Sequence, residues 1–208
     1  MDTPKWLAWV QQVQAIAQDG LAYAPNPFDV ERYEKLRELA AQITAAYGGA
    51  DFEQLTGIWT GEAGYATPKL DGRGVVFKDG KLLMVKELVD GGWTLPGGWI
   101  DVGEPLSQAV EREVLEESGY IVRAKKVLAV YDRNHPRHKH TPYIYHIYKI
   151  FVLCELIGGE ARTSIETGGA EFYGPDEIPP LSVARVSDGE IARFFEHYRH
   201  PDLPTDFD

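Results

Sequence analysis

Three glutamates, Glu113, Glu116 and Glu117, lie close together in a segment that predicts a single helix. Pro105 suits the first turn of this helix, and Gly119 suits its C-terminal cap. At about 100° per residue, Glu113 and Glu117 continue the apolar face of the helix start, with Glu116 beside them. Carboxylates this close repel one another, so a cation or hydrogen-bond donors must compensate for their charge. Hard oxygen ligands of this kind suit Mg²⁺ or Mn²⁺.

The same acidic spacing also fits a solvated helix end. In that interpretation Arg112 and Glu116 form an ordinary surface ion pair one turn apart, and no metal is bound. Acidic runs on helices are common, so the spacing alone favours this simpler explanation.

A longer pattern surrounds the glutamates and reverses that preference. Five residues separate Gly98 from Glu104, seven more follow, and the chain then reads Arg112-Glu113-Val114-Leu115-Glu116-Glu117-Ser118-Gly119-Tyr120. This pattern resembles the Nudix box at each of its nine constrained positions over 23 residues, with Tyr120 a permissive choice at an apolar position. The preceding Trp93-Thr94-Leu95-Pro96-Gly97 resembles the family's approach to the box.

The resemblance implies an α/β/α sandwich with a mixed sheet and a loop–helix–loop metal site. It assigns Mg²⁺ or Mn²⁺ binding to the three glutamates, helped by the backbone carbonyl of Gly97. It makes Glu104 and Arg112 orienting residues, which agrees with the need of any metal site for support around its ligands.

The implied reaction is metal-assisted attack by water on a phosphorus of a diphosphate. Glu113, Glu116 and Glu117 would then be catalytic, together with a carboxylate outside the box. Glu166, in a predicted loop, is the first candidate for that carboxylate. Glu171 is the second, and it fits an exposed strand residue equally well.

One stretch of this acidic chain, from residue 132 to residue 140, is basic and rich in histidine. Its Arg133, His135, Arg137 and Lys139 are the candidates for contact with the distal phosphate or sugar. A solvated loop explains the same composition, and the three histidines suggest zinc, which the lack of a nearby cysteine argues against. Pro136, sixteen residues after the box, resembles the spacing in ADP-ribose pyrophosphatases.

The chain before residue 62 is predicted to be helical. One helix runs from Trp6 to Ala17 and stops before Gly20, and a second runs from Asp29, interpreted as its N-cap, to Tyr47. Residues 50–66 are predicted to be a connector. The two helices resemble the N-terminal extension of a Nudix subgroup that is associated with ADP-ribose or CDP-choline hydrolysis.

This gives a helical domain over residues 1–62 and a Nudix domain over residues 63–208. The first helix carries an apolar surface too wide for a single helix partner, and a helical hairpin has little core of its own. We therefore expect a homodimer, which the family resemblance also favours. Docking on the chain's own catalytic domain would cover the same face.

The rest of the chain, after the N-terminal helices, is predicted to mix strands and helices in an α/β fold. Short strands are predicted over 73–77 and 81–85 around an Asp79-Gly80 turn, and longer strands over 122–132 and 143–156. A last helix opens at Ser187, with Glu190 completing a capping box. Three aromatic residues are candidates either for stacking on a base or for the core: Trp93, Trp99 and Tyr145.

Composition limits the classes of function. The 208 residues carry a net charge of -11, which disfavours nucleic-acid binding and a DNA-binding regulator. The single cysteine, Cys154, excludes an internal disulfide, and no apolar run approaches the ~20 residues of a membrane span. The start at Met1-Asp2 lacks the features of a secretory signal, so we expect a cytoplasmic protein.

The sequence thus predicts a Mg²⁺-dependent hydrolase of a nucleoside diphosphate linked to a second group, with ADP-ribose as the first choice. CDP-choline is the alternative substrate. The alternative to an enzyme is a Nudix-like module that senses nucleotides without cleaving them. Such a module should have lost carboxylates of the box, and all are present.

Overall fold

The computed structural model describes residues 4–48, 51–138, 140–141 and 143–208. Within these ranges the chain forms two compact units. The helical unit comprises residues 4–68 and 143–146, and the α/β unit comprises residues 69–141 and 147–208. No helix among the described residues is both long and apolar enough to cross a membrane.

The helical unit contains α1 (Lys5–Tyr23), α2 (Pro27–Gly48) and α3 (Phe52–Gly61). Apolar side chains from all three helices form its core, which includes Val10, Ala40, Ala41, Leu55 and Trp59. Burial of these side chains stabilises helices that would be marginal in isolation.

Helix α1 continues through Gly20, so the predicted end before this residue is wrong. A Cβ atom at position 20 would lie 2.3 Å from the ring of Tyr33 on α2. Glycine therefore allows the two helices to approach closely, and this packing outweighs its poor helix propensity.

Two other boundaries differ from the prediction. Asp29 lies inside α2, and the side chain of Asn26 accepts the hydrogen bond from its backbone amide at 3.0 Å. The predicted connector over 50–66 contains α3, which Asp51 caps by accepting a 2.8 Å bond from the Gln54 amide. Short polar side chains before a helix start thus act as caps at both places.

Residues 143–146 are the largest departure from the predicted strands. They precede the observed strand rather than open it, and they belong to the helical unit. The side-chain amide of Gln11 donates to the carbonyl of Tyr143 at 2.8 Å, and Ile144 packs against the helical core. The alternation of residues that predicts a strand here instead serves contacts with helices.

The described residues of the α/β unit form eight strands and two helices. In chain order these are β1 (Lys69–Lys78), β2 (Lys81–Glu87), β3 (Trp93–Thr94), β4 (Gly97–Trp99), α4 (Leu106–Ser118), β5 (Tyr120–Asp132), β6 (Ile147–Gly159), β7 (Thr167–Tyr173), α5 (Asp188–Arg199) and β8 (Asp206–Phe207). The sheet order is β3-β2-β1-β6-β5-β8, with β4 paired to β1 and β7 paired to β2. Because β1 and β6 are parallel while β5 and β6 are antiparallel, the sheet is mixed, as predicted.

Each face of the sheet packs against one helix. Val110 and Val114 of α4 share a core with Val76 and Val152, whereas Phe194 of α5 belongs to a separate core. The α/β/α arrangement expected from the family resemblance is confirmed.

Several local predictions are also confirmed. Asp79 and Gly80 turn between β1 and β2 with positive φ angles of 51° and 78°. Ser187 and Glu190 form the capping box of α5, with both of its hydrogen bonds present. These features depend on neighbouring residues alone, which is why the sequence reveals them.

Candidate active site

Helix α4 carries the acidic cluster, and its last residues face β4. Gly119 ends the helix in the left-handed conformation, with φ 80°, and donates its N–H to the carbonyl of Leu115. Glu117 is 7% exposed, and its Oε2 accepts a 2.8 Å hydrogen bond from the backbone N–H of Gly97. The contact therefore joins the start of β4 to the end of α4.

Gly97 cannot be replaced by another residue in this arrangement. Its φ of 144° is rare for other residues, and a Cβ atom would lie 2.1 Å from the carbonyl oxygen of Gly72 on β1. The bond observed at Gly97 uses the backbone amide, whereas the sequence expectation concerned its carbonyl as a metal ligand.

Arg112 connects the loop before α4 with the acidic residues on it. Its Nε and Nη2 donate to the two carboxylate oxygens of Glu104, both at 2.9 Å. Its Nη1 donates to Glu113 at 2.9 Å and to Glu116 at 3.0 Å. One guanidinium thus holds three carboxylates, and the paired bonds to Glu104 fix its plane.

Burial raises the pKa of Glu117 to about 7, although Arg73 and the Gly97 amide both favour the charged form. The neighbouring charges of Glu113 and Glu87 raise it further. Burial also raises the pKa of Glu113, against the opposing effect of Arg112. Burial thus favours the neutral form of both carboxylates.

The donor set fits a divalent cation. Three carboxylates on successive turns supply hard oxygen ligands, and a cation would favour the ionised forms of Glu113 and Glu117 against the effect of burial. In the described part of the chain, the carboxylate oxygens of these three residues do not all lie within 4.8 Å of one another. Arg112 holds Glu113 and Glu116, while Glu117 is bonded to Gly97, so binding requires these side chains to turn toward a common centre.

Sequence reasoning missed a buried ionic network next to Glu117. Arg73 donates to both carboxylate oxygens of Asp71, at 2.7 and 3.1 Å, and Lys149 donates to Asp71 at 2.9 Å. Although burial opposes ionisation, these two cations hold the pKa of Asp71 well below its usual range. Arg73 also donates to the carbonyl of Leu95 at 3.1 Å, which links the network to the segment before Gly97.

A second missed carboxylate is Glu87, at the end of β2. It is 4% exposed and forms a 2.6 Å ion pair with Arg185. Burial raises its pKa, against Arg185 and Arg73, and the charges of Asp90 and Glu166 add to this effect. The two-residue repeat of side chains along a strand is the signal that could have found it, because Glu87 lies on the same face of β2 as the buried Leu83 and Val85.

The two candidates for the carboxylate outside the box lie in different settings. Glu166 is exposed, its carbonyl accepts from the Leu88 amide at 3.1 Å, and its charge influences the buried Glu87. The adjacent Thr167 is buried and donates its hydroxyl to the carbonyl of Glu117 at 2.6 Å. Glu171 is exposed on β7 and accepts a 2.9 Å bond from the hydroxyl of Tyr173.

The basic loop after β5 is held by protein contacts. Arg133 is buried and donates to the carbonyl of Ala184 at 3.1 Å. Arg137 pairs with Asp208 at 2.8 Å, and the Nδ1 of His135 lies 4.0 Å from the same carboxylate. Lys139 lies outside the described residues.

The aromatic candidates are divided between the units. Trp93 packs edge-on against Tyr173, with ring centroids 5.0 Å apart, at the border of the α5-side core. Trp99 is about half exposed on β4, whereas Tyr145 belongs to the helical unit.

Two family models match the chain. One, described as a UDP-X-like N-terminal oligomerisation domain, covers residues 4–59, and the other, the NUDIX domain, covers residues 68–194. A Bacillus subtilis (strain 168) protein, YjhB, provisionally named an ADP-ribose pyrophosphatase, is 44% identical over 98% of this chain and 97% of its own length. An ADP-ribose pyrophosphatase of Methanocaldococcus jannaschii is 34% identical over 57% of this chain and 69% of its own.

Solved structures give the same result. A UDP-X diphosphatase matches with a TM-score of 0.63 and 28% identity, covering 100% of both chains. An ADP-ribose pyrophosphatase of Streptococcus suis 89-1591 matches with a TM-score of 0.61 and 37% identity, over 68% of this chain and all of its own. With the box residues gathered around α4, these matches show that the chain belongs to the Nudix family and is a Nudix pyrophosphohydrolase.

Proposed function

We propose that this protein hydrolyses the diphosphate bond of ADP-ribose and requires Mg²⁺, with Mn²⁺ able to replace it. The observation that carries the choice of substrate is the 44% identity, over nearly the whole of both chains, to a relative provisionally named an ADP-ribose pyrophosphatase. Enzymes of this family generally use a divalent metal and act on small nucleotides.

In this proposal Glu113, Glu116 and Glu117 hold the metal, with the carbonyl of Gly97 as a further ligand. A divalent ion supplies positive charge that stabilises the charge developing on the diphosphate oxygens. Arg112 orients Glu113 and Glu116 and is itself fixed by Glu104. Arg73 favours the charged form of Glu117 from within the sheet.

Glu166 is the proposed base that accepts a proton from the attacking water. Its side chain is exposed, as a group that meets solvent and substrate must be. Its position is constrained, since Thr167 bonds to the carbonyl of Glu117 and the Leu88 amide bonds to Glu166 itself. A base must lie within hydrogen-bond reach of the water that it activates.

The loop after β5 is the proposed contact for the distal group of the substrate. Of its candidate residues, Arg137 and His135 have exposed side chains, 59% and 44%, whereas Arg133 is buried. The contribution of Lys139 stays a prediction from the sequence.

A nucleoside diphosphate carrying another group is the second candidate substrate. It is favoured by the match of the helical segment to a UDP-X-like domain and of the whole chain to a UDP-X diphosphatase. CDP-choline and a UDP-sugar represent this class. A reduced, cytoplasmic setting is also part of the proposal, because the one cysteine, Cys154, is buried and has no disulfide partner in the sequence.

A substrate panel tests the proposal. Metal-stripped protein is assayed with ADP-ribose, CDP-choline, a UDP-sugar, ATP and dGTP, in EDTA and then in excess Mg²⁺ or Mn²⁺. We expect no turnover in EDTA and the highest kcat/KM for ADP-ribose with metal restored. A triphosphate as the best substrate would overturn the assignment, and a higher kcat/KM for CDP-choline or the UDP-sugar would establish the second candidate.

A further inference from the structure

A second group of metal-ligating atoms lies outside the acidic cluster, where β8 pairs with the end of β5. The Nε2 atom of His138 lies 2.9 Å from Oδ1 of Asp208, and Nδ1 of His135 lies 4.0 Å from the same oxygen. All three ligand atoms lie within 4.8 Å of one another. We propose that His135, His138 and Asp208 form a site for a borderline divalent metal ion such as Zn²⁺, Co²⁺ or Ni²⁺.

The donor set distinguishes this site from the one on α4. Two imidazole nitrogens and one carboxylate suit Zn²⁺, Co²⁺ or Ni²⁺, whereas an all-oxygen set suits Mg²⁺. With metal–ligand bonds of about 2.0–2.1 Å, tetrahedral ligand atoms lie about 3.3 Å apart. The observed 2.9 and 4.0 Å lie on either side of that spacing, so small side-chain rotations complete the site.

Neighbouring groups already orient two of the three ligands. The ring of His138 stacks on Tyr131 with centroids 4.1 Å apart, and its Nδ1 lies 3.7 Å from Oε1 of Glu190. A carboxylate behind the non-ligating nitrogen is the usual support for a metal-bound histidine. The backbone amide of Asp132 donates to the other oxygen of Asp208.

Asp208 is held in place by hydrogen bonds from three neighbouring groups. Burial alone would raise the pKa of its carboxyl group. Hydrogen bonds from His138, the Asp132 amide and Arg137 instead hold the pKa below its usual range. These hydrogen bonds hold the Asp208 carboxylate beside His138 and Arg137.

Arg137 competes with the metal. Its guanidinium donates to Oδ1 of Asp208 at 2.8 Å, and its backbone amide donates to Nδ1 of His135 at 3.3 Å. The side chain is 59% exposed, so it can leave the carboxylate for solvent at little cost. The metal thus replaces the Arg137 guanidinium at Asp208 and the Arg137 amide at Nδ1 of His135. It joins the loop after β5 to the last strand of the sheet.

Cobalt spectroscopy of the full chain tests the proposal. Excess Mg²⁺ first occupies the carboxylate centre, and Co²⁺ is then titrated while the visible ligand-field absorption is followed. Equilibrium dialysis with Zn²⁺ gives the stoichiometry. The variants are His135→Ala, Arg137→Ala and, as the matched control, His200→Ala, which removes an exposed histidine beyond α5.

We expect one equivalent of Co²⁺ to produce a band typical of nitrogen ligation. His135→Ala should weaken Co²⁺ binding at least about tenfold, and His200→Ala should leave it unchanged. Arg137→Ala should strengthen binding about two- to fivefold, because an exposed ion pair that competes for Asp208 is weak.

The alternative is a purely ionic connection between the loop and β8, in which the Arg137–Asp208 ion pair stabilises the loop and no metal binds. The absence of a cobalt band in the unmodified protein, or a band that His135→Ala leaves intact, would overturn the proposal. Weaker cobalt binding by the Arg137 variant would do the same. Because His135 is exposed, its replacement by alanine should leave the fold intact, and the melting temperature of this variant in EDTA checks this. None of these measurements depends on hydrolysis.

Discussion

The backbone N–H of Gly97 donates a 2.8 Å hydrogen bond to Oε2 of Glu117, across the gap between β4 and the last turn of α4. Among the described residues, this neutral donor is the direct partner of a carboxylate that is 7% exposed. A neutral donor compensates only in part for the loss of water around a charge, and the pKa of Glu117 is accordingly raised to about 7.

The pH dependence of the protein's stability should reveal the titration of Glu117. Because the pKa of folded Glu117 is raised from 4.5 to about 7, the folded state retains a proton that the unfolded state loses. Its stabilising contribution is therefore complete below pH 4.5 and is lost as the pH rises through 7. In EDTA, we expect the melting temperature to fall over this interval, and to fall less in Glu117→Gln.

Mg²⁺ should act in the opposite direction, since binding requires the ionised carboxylate. The melting-temperature increase caused by Mg²⁺ should grow from pH 5.5 to pH 8. Glu117→Gln should lose most of this increase and about 100-fold or more of kcat/KM, while keeping its circular dichroism spectrum. A variant with unchanged metal response would place the binding site elsewhere.

Arg112 should be coupled energetically to Glu104. Arg112→Lys keeps the charge but loses the two parallel bonds to Glu104, so Mg²⁺ affinity should fall about 10-fold or more. Glu104→Gln should produce a similar loss, and the double variant should be little worse than either single one. Calorimetric titration of Mg²⁺ measures all three, and simple additivity of the losses would refute the coupling.

The base outside the box can be identified with two matched substitutions. Glu166→Gln should lower kcat by about 100-fold with little change in KM, because general-base catalysis contributes roughly 10²–10⁴. Glu171→Gln removes an exposed carboxylate that accepts a bond from Tyr173, and kcat should remain within about twofold. Steady-state kinetics on ADP-ribose distinguishes them, and the reverse ranking would transfer the role to Glu171.

The helical unit should form the contact of a homodimer. Trp9 and Ile16 are 62% and 58% exposed on α1, and the match to an oligomerisation domain indicates association through this segment. Light scattering should give about twice the 23.3 kDa of one chain. The double variant Trp9→Asp/Ile16→Asp should approach the monomer mass, whereas Tyr198→Asp, at an exposed site on α5, should remain dimeric. A monomeric unmodified protein at micromolar concentration would exclude the dimer.

The sequence predicts those parts of the candidate active site that depend on spacing along one helix. Glu113, Glu116, Glu117 and the cap at Gly119 all lie within seven residues, so helical periodicity places them together.

Residues that meet only through the fold are not predictable in this way. Lys149 reaches Asp71 from a strand 78 residues away, and no local pattern marks either as a partner of the other. The predicted helix end before Gly20 is wrong for the same reason. The role of Gly20 depends on Tyr33 of the neighbouring helix, whereas glycine considered alone predicts a helix end.

The segment at 143–146 makes the helical unit discontinuous in sequence. The chain leaves β5, contributes Ile144 and the carbonyl of Tyr143 to the helical unit, and only then returns as β6. Cutting the chain near residue 68 therefore does not separate two independent folding units. A protein truncated there retains Ile144 without its apolar neighbours and Tyr143 without the Gln11 donor, in the connection between the two longest strands. Unfolding of the helices therefore removes the contacts that hold residues 143–146, which connect β5 to β6.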